Sequence, residues 1–177
     1  MGETYDSERE VPGADADALR EEIRAFIANW SQNRAFLMTR RRDGREIMRP
    51  VGSFLEGWTA NTITQDLHLK TAHVRRDPIV GYLWVEVDGE RYGRLQFPRN
   101  VWMQGAAELV EDPGEVAAFF ERRAAATGRA DAHPADQSYR RILIRTRPQY
   151  VRAEGFYPGE PMRAVILRDF PEPVPAA

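Results

Sequence analysis

The sequence predicts a mainly β chain whose antiparallel strands close, or partly close, into a barrel with two or three short helices packed against it. Three observations carry this expectation. Segments of period-two alternation or β-branched composition number six to eight, against two or three of helical period. Asp-Gly and Glu-Gly turn signals separate several of them. The strand–helix–strand alternation of a parallel sheet does not occur. A length of 177 residues suits a single domain over about residues 15–170, between a flexible leader at 1–14 and a flexible tail at 171–177.

The first element is a helix. Asp15 or Asp17 offers an N-cap, and Leu19, Ile23, Phe26, Ile27 and Trp30 recur at helical spacing up to about Ser31. The period then changes to two. Residues 35–39 enter a strand, Asp43-Gly44 signals a hairpin, residues 46–54 return, and residues 58–64 form a third strand after Glu56-Gly57, so the three make an antiparallel meander. A short helix fits between His68 and Arg76, stopped by Asp77-Pro78. Residues 79–87 are a fourth strand, Asp88-Gly89 a second hairpin turn and residues 91–97 its partner, with a further strand over 101–110. Asp112-Pro113-Gly114-Glu115 places Asp at an N-cap and Pro at the first helical position, and Val116, Phe119 and Phe120 give that helix a buried face. Residues 127–138 read as a polar loop, 140–146 as a half-buried strand, and 149–156 and 163–167 as one or two more.

Composition narrows the function classes. Formal charge is −2, which removes the broad basic footprint of a protein that coats nucleic acid or an anionic membrane. The absence of Cys removes disulfides, thiolate nucleophiles and cysteine-ligated metals. No apolar run is long enough to span a bilayer, so a soluble, cytoplasmic protein is expected. Motifs of nucleotide-binding glycine loops, a nucleophile elbow or a zinc-binding helix are absent, and His68 and His73, five apart, are a poor metal pair. No metal site and no catalytic side chain is named.

Basic residues are concentrated between Arg40 and Arg76. Lys70 is the single lysine among 25 basic side chains. Arg40, Arg41, Arg42 and Arg45 surround a turn and read as a solvated face, whereas Arg49 lies inside a strand, so its charge must leave the barrel wall at a defined place. Thr62 and Thr64 share one face of the next strand by two-residue alternation. Together, Arg49, Thr64 and Lys70 would form a cradle of two cations and a hydroxyl suited to a phosphate ester. The alternative is ordinary surface residues.

The run Asp43-Gly44, Arg49-Pro50-Val51, Thr64, Lys70 six residues later, and Arg75-Arg76-Asp77-Pro78 before an apolar strand resembles the flavin-binding split-barrel family, the pyridoxamine 5'-phosphate oxidase-like proteins. Residues 99–113 continue the likeness, through Gly105-Ala106-Ala107-Glu108-Leu109-Val110 and then Glu111-Asp112-Pro113. In all, it covers about residues 20–156.

The resemblance implies a six- to eight-stranded, Greek-key-like split β-barrel that pairs as a homodimer, with FMN or the deazaflavin coenzyme F-420 in the groove between chains. Carried over position by position, Arg49 and Lys70 would hold the cofactor phosphate with help from Thr64. The backbone of Pro50, Val51, Gly52, Thr62 and Ile63 would border the ring, and Asn100 and Trp102 would approach it, with Gln104 on the same face. The implied activity is hydride transfer between the cofactor and a small organic substrate; the alternative is a non-catalytic flavin or haem carrier or sensor of the same fold. Leu69 stands where the vitamin B6 oxidase carries a second basic residue, and that enzyme's C-terminal Trp and Arg motif is missing, so authentic pyridoxine-phosphate oxidase activity is not expected. His73 stands where many relatives carry Asn.

Overall fold

The computed structural model describes residues 8–9, 14–31, 33–87, 98–128, 139–157, 159 and 163–170. In chain order the elements are β1 (Glu8–Arg9), α1 (Ala14–Ala28), β2 (Asn33–Arg40), β3 (Glu46–Val51), β4 (Ser53–Glu56), β5 (Thr59–Gln65), α2 (Leu69–Arg76), β6 (Ile79–Glu86), β7 (Asn100–Val110), α3 (Pro113–Thr127), β8 (Arg141–Glu154) and β9 (Ala164–Leu167). The fold is the mainly β split barrel that the sequence predicts. Glu8 and Arg9, inside the segment read as a leader, pair in parallel with Ala164 and Val165. The expected Asp88-Gly89 turn, the strand over 91–97, most of the polar loop over 127–138 and the tail lie outside the described residues.

Closure of the barrel depends on one bent strand. Asp43-Gly44 turns β2 into β3, with Gly44 at φ 82° and Asp43 Oδ1 accepting the Arg45 N–H at 3.1 Å. The returning chain runs past the expected end at Phe54 to Glu56, and at Gly52 it changes partners. Its first half pairs with β2, Arg49 opposite Leu37, and its second half with β5, Ser53 opposite Thr62. β5 pairs with β8, β8 with β7, β7 with β6 and β6 with β2, which completes a ring of six staves. The expected meander is therefore two hairpins that share a bent strand.

Two segments that the sequence separates, 140–146 and 149–156, form the single strand β8. Pro148 interrupts a ladder when it must donate, but here the pairing slips: Gly105 faces Pro148 and Gln104 faces Tyr150, leaving Gln149 as the extra residue of a bulge. Gly105 is required at that point, because a Cβ there would lie 2.2 Å from the Arg147 carbonyl oxygen.

Helices close the ends and one side. α1 begins at Ala14, which puts Asp15 and Asp17 in its first turn rather than at the cap. Leu19, Ile23, Phe26 and Ile27 enter the core with Leu37, Tyr82, Trp84 and Met103 from inside the barrel. α3 starts where the sequence says. Asp112 Oδ1 accepts the Glu115 N–H at 2.8 Å and Gly128, at φ 65°, ends the helix. Val116 and Phe119 of α3 pack with Val110 and Leu143 in a second cluster. No described helix is long and apolar enough to cross a membrane.

Candidate functional site

Directly opposed residues of two antiparallel strands share a face, and Arg49 faces Leu37, which is fully buried. Arg49 therefore leaves β3 on the inner side, at the mouth of the barrel away from α1. Its Nη1 donates to Thr39 Oγ1 at 3.2 Å, and that hydroxyl lies 2.9 Å from Nδ1 of the buried His73 on α2. The first turn of α2 brings in Lys70. Burial, and after it the charge of Arg49, holds the Lys70 ammonium below its ordinary 10.5. Among the described residues, neither Arg49 nor Lys70 makes an ion pair with a carboxylate.

The histidines beside them answer to the same field. His73 is pushed below its usual value by burial first, then by Arg49, Arg76 and Arg41, with Asp43 opposing. His68 is lowered by burial and by Lys70. Both are held toward the neutral form, so the mouth draws its positive charge from Arg49 and Lys70. The neighbouring arginines are engaged elsewhere: Arg40 with Asp77 at 3.1 Å and Glu46 at 3.5 Å, Arg41 with Asp43 at 3.8 Å, and Arg75 with Glu111.

Thr62 and Thr64 face inward from β5, as the alternation requires. They have separate partners. Thr62 Oγ1 pairs with the buried Tyr82 hydroxyl at 2.9 Å, deep in the barrel, while Thr64 Oγ1 is 3.1 Å from His68 Nδ1 at the mouth. Of the two, Thr64 stands with the cations.

The opposite face of the same strands opens on a cleft of about 340 Å³ between β4–β5, the end of α1, α3 and the start of β8. Gly52 and Ile63, expected to border a ring, line it together with Thr64, His68, Arg123 and Arg141. Val51 instead lines a smaller hollow next to Gly52, and Pro50 is exposed on the outer surface. Asn61 lines the cleft too. Its Nδ2 donates to Glu56 Oε2 at 3.1 Å, which fixes the amide, and its Oδ1 is buried with no hydrogen-bond partner.

Asn100, Trp102 and Gln104 occupy a third place, the outer face of β7. Asn100 donates to Glu154 Oε2 at 3.0 Å. The Trp102 indole lies against Gly81, where a Cβ would come within 2.2 Å of it, and Gln104 is exposed beyond. In register, Pro50, Phe36, Leu83 and Trp102 make an apolar row across four strands of that face. The structure therefore brings Arg49, Lys70 and Thr64 together at the mouth, sets Gly52 and Ile63 in the adjoining cleft, and places Asn100 and Trp102 on another surface of the same chain.

Sequence reading missed Asn61, Arg123 and Arg141. The only local signal was the polar outer face Asn61, Gln65 of a β-branched strand; the two arginines come from elements distant in sequence. Among the described residues, no group of His, Asp and Glu is placed to hold a metal ion.

The antiparallel barrel, with Arg49 and Lys70 at its mouth and no described carboxylate paired with either, is a split barrel. Residues 19–166 match the family model described as pyridoxamine 5'-phosphate oxidase, and the chain belongs to that family. Solved structures share the fold. It is similar to general stress protein 26 from Bacillus anthracis str. Sterne, with 20% identity and a TM-score of 0.58 over 85% of this chain and 98% of that one. An F420 reductase aligns with 21% identity and a TM-score of 0.52, covering 67% of this chain and 87% of the other. A heme binding protein from Mycobacterium smegmatis aligns with 22% identity and a TM-score of 0.58, covering 89% of this chain and 59% of the other. No curated protein sequence matches the chain.

Proposed function

We propose that the chain binds a flavin-type cofactor, FMN or coenzyme F-420, by its phosphate at Arg49 and Lys70 and is an oxidoreductase acting on a small organic substrate. The observation that carries this reading is the pair itself: two cations from β3 and α2, close enough that Arg49 disfavours the Lys70 charge, with no described carboxylate between them. Like charges are retained at such proximity when an anion is to be shared. Arg49 is oriented by Thr39, Lys70 can reach the same oxygens as a point charge, and Thr64 supplies a hydroxyl. Gly52 and Ile63, at the wall of the adjoining cleft, let a flat ring lie against backbone. Bound there, the cofactor would supply hydride transfer; the chain binds it, orients it and shields it from water.

Membership of the oxidase family and the fold shared with an F420 reductase support both cofactors, and the fold shared with a heme binding protein keeps the carrier reading in play. A second copy of the chain is proposed to cover the row Pro50, Phe36, Leu83 and Trp102, beside which Met48 is 46% exposed.

The test is an absorption titration of the purified protein with FMN and with F-420. Saturable binding of one is expected, and no binding of either overturns the proposal. Lys70→Ala should weaken binding by about 1.5–3 kcal/mol, the size of a hydrogen bond to a charged group; an affinity that does not move removes Lys70 as a phosphate ligand. Bound cofactor that no electron donor or acceptor ever turns over would identify a carrier.

A further inference from the structure

Arg49 and Lys70 come from different elements, so their two charges must be held in register by something between them. Lys70 and His73 stand three residues apart on α2, where one rigid helix sets both on neighbouring turns of one face. His73 and Thr39 are buried, whereas Arg49 is half-buried at the mouth. Thr39 is the diagonal neighbour of Arg49 across the β2–β3 ladder, because Arg49 faces Leu37 and Thr39 faces Ile47. Its Oγ1 sits between helix and strand, 3.2 Å from Arg49 Nη1 and 2.9 Å from His73 Nδ1.

The direction of this chain of hydrogen bonds follows from its donors. A guanidinium can only donate, so Thr39 Oγ1 accepts from Arg49. The Thr39 hydroxyl hydrogen then needs an acceptor of its own, and His73 Nδ1 is the one other polar atom bonded to that oxygen among the described residues. Nδ1 therefore accepts, and the ring proton lies on Nε2. The ring is kept toward the neutral form that this requires by burial first and then by Arg49, Arg76 and Arg41, against Asp43. A hydroxyl that donates to an imidazole becomes a better acceptor, so the two bonds reinforce each other. Arg49 spends one N–H on Thr39, and its others have no hydrogen-bond partner among the described residues.

We propose that His73 is a positioning residue for Arg49: as the Nε2–H tautomer it takes the Thr39 hydroxyl at Nδ1 and so holds the guanidinium in register with Lys70. A free arginine side chain has roughly 2 kcal/mol of rotamer entropy, and Thr39 and His73 remove part of it before an anion arrives. That the anion is a cofactor phosphate rests on the proposed function. The ordering of Arg49 does not.

Nitrogen-15 NMR of the full, cofactor-free chain at neutral pH reads the ordering directly. His73 should carry its proton on Nε2 and none on Nδ1, and the Arg49 Nε–H should be ordered on the picosecond to nanosecond scale. His73→Leu, which fills the space without an acceptor, and Thr39→Val should each loosen Arg49. His73→Asn should restore the order, because Asn Oδ1 and His Nδ1 both hang on Cγ and reach the same place. In an FMN titration, His73→Leu and Thr39→Val should each weaken binding about tenfold, the double variant should lose no more than either alone, and His73→Asn should recover most of the affinity. A proton on Nδ1 overturns the proposal, and it is read on the unmodified chain should the variants not fold. An Arg49 as well ordered in His73→Leu as in the parent overturns it too, as do additive losses in the double variant. Ordering and rescue of Arg49 in a chain that binds no FMN would sustain the positioning role and sink the cofactor reading.

Discussion

Burial and the charge of Arg49 both disfavour the ammonium of Lys70, so at neutral pH the folded chain carries a positive charge that no described carboxylate pairs with. A lysine whose folded value is depressed contributes stability that is present above the ordinary 10.5 and lost as pH falls through the lowered folded value. At neutral pH the charged side chain is therefore a liability, and Lys70→Met is expected to raise the thermal midpoint of the cofactor-free protein while weakening phosphate binding. The difference between variant and parent should narrow as pH rises from the lowered value toward 10.5, because the parent then sheds its proton. Melting curves across that range check it; a variant less stable than the parent at neutral pH would show that the lysine stem, rather than its charge, matters to the fold.

At the scale of elements, Gly81 is the point where β6 allows Trp102 of β7 to lie flat on the sheet. A Cβ at Gly81 would sit 2.2 Å from the Trp102 ring, so Gly81→Ala must lift the indole out of the apolar row it shares with Leu83, Phe36 and Pro50. The expected outcome is a loss of about 1–3 kcal/mol in denaturant unfolding together with weaker self-association in sedimentation, both read on the same protein. The strands and turns around this row were legible in the sequence, because alternation and the Asp-Gly signal are local. The unity of β8 was not: Pro148 argues for a break, and only the bulge against Gly105, far away in the chain, removes the objection. The separate engagement of Thr62 was not legible either, for a similar reason. Alternation rightly puts it on the face of Thr64, and the partner that claims its hydroxyl, Tyr82, belongs to a strand across the barrel.

Across the whole molecule the two barrel ends are built on opposite principles. At the mouth, Arg49 and Lys70 stand together with no described carboxylate paired to either; at the end closed by α1, Arg99 is fully occupied. Its Nε donates to Glu86 Oε1 at 2.9 Å, its backbone N–H to Oε2 at 3.0 Å, and its guanidinium is held between Phe26 and Phe156 at 5.0 and 5.5 Å. Glu86 is only 2% exposed, so Glu86→Ala, which leaves the Arg99 charge without its carboxylate, should destabilise the protein by about 3 kcal/mol in urea unfolding. Cofactor affinity per folded molecule should not change, since the pair is at the far end. Nothing local in the sequence marked Arg99 as different from the other arginines, whereas Lys70 stood out because it was the single lysine, and Arg49 because it interrupted a strand.

The bent strand that closes the ring has a mechanical consequence. Val51 is laced to β2 and Ser53 to β5, and Gly52 between them joins the two halves of the stave that links β2 to β5, which share no direct ladder among the described residues. A barrel with such a joint has a seam. Thermal breathing that parts the walls should begin there, widening the wall shared by mouth and cleft while the β6–β7–β8 side stays zipped, and amide exchange at residues 51–53 should outpace that of the facing strands.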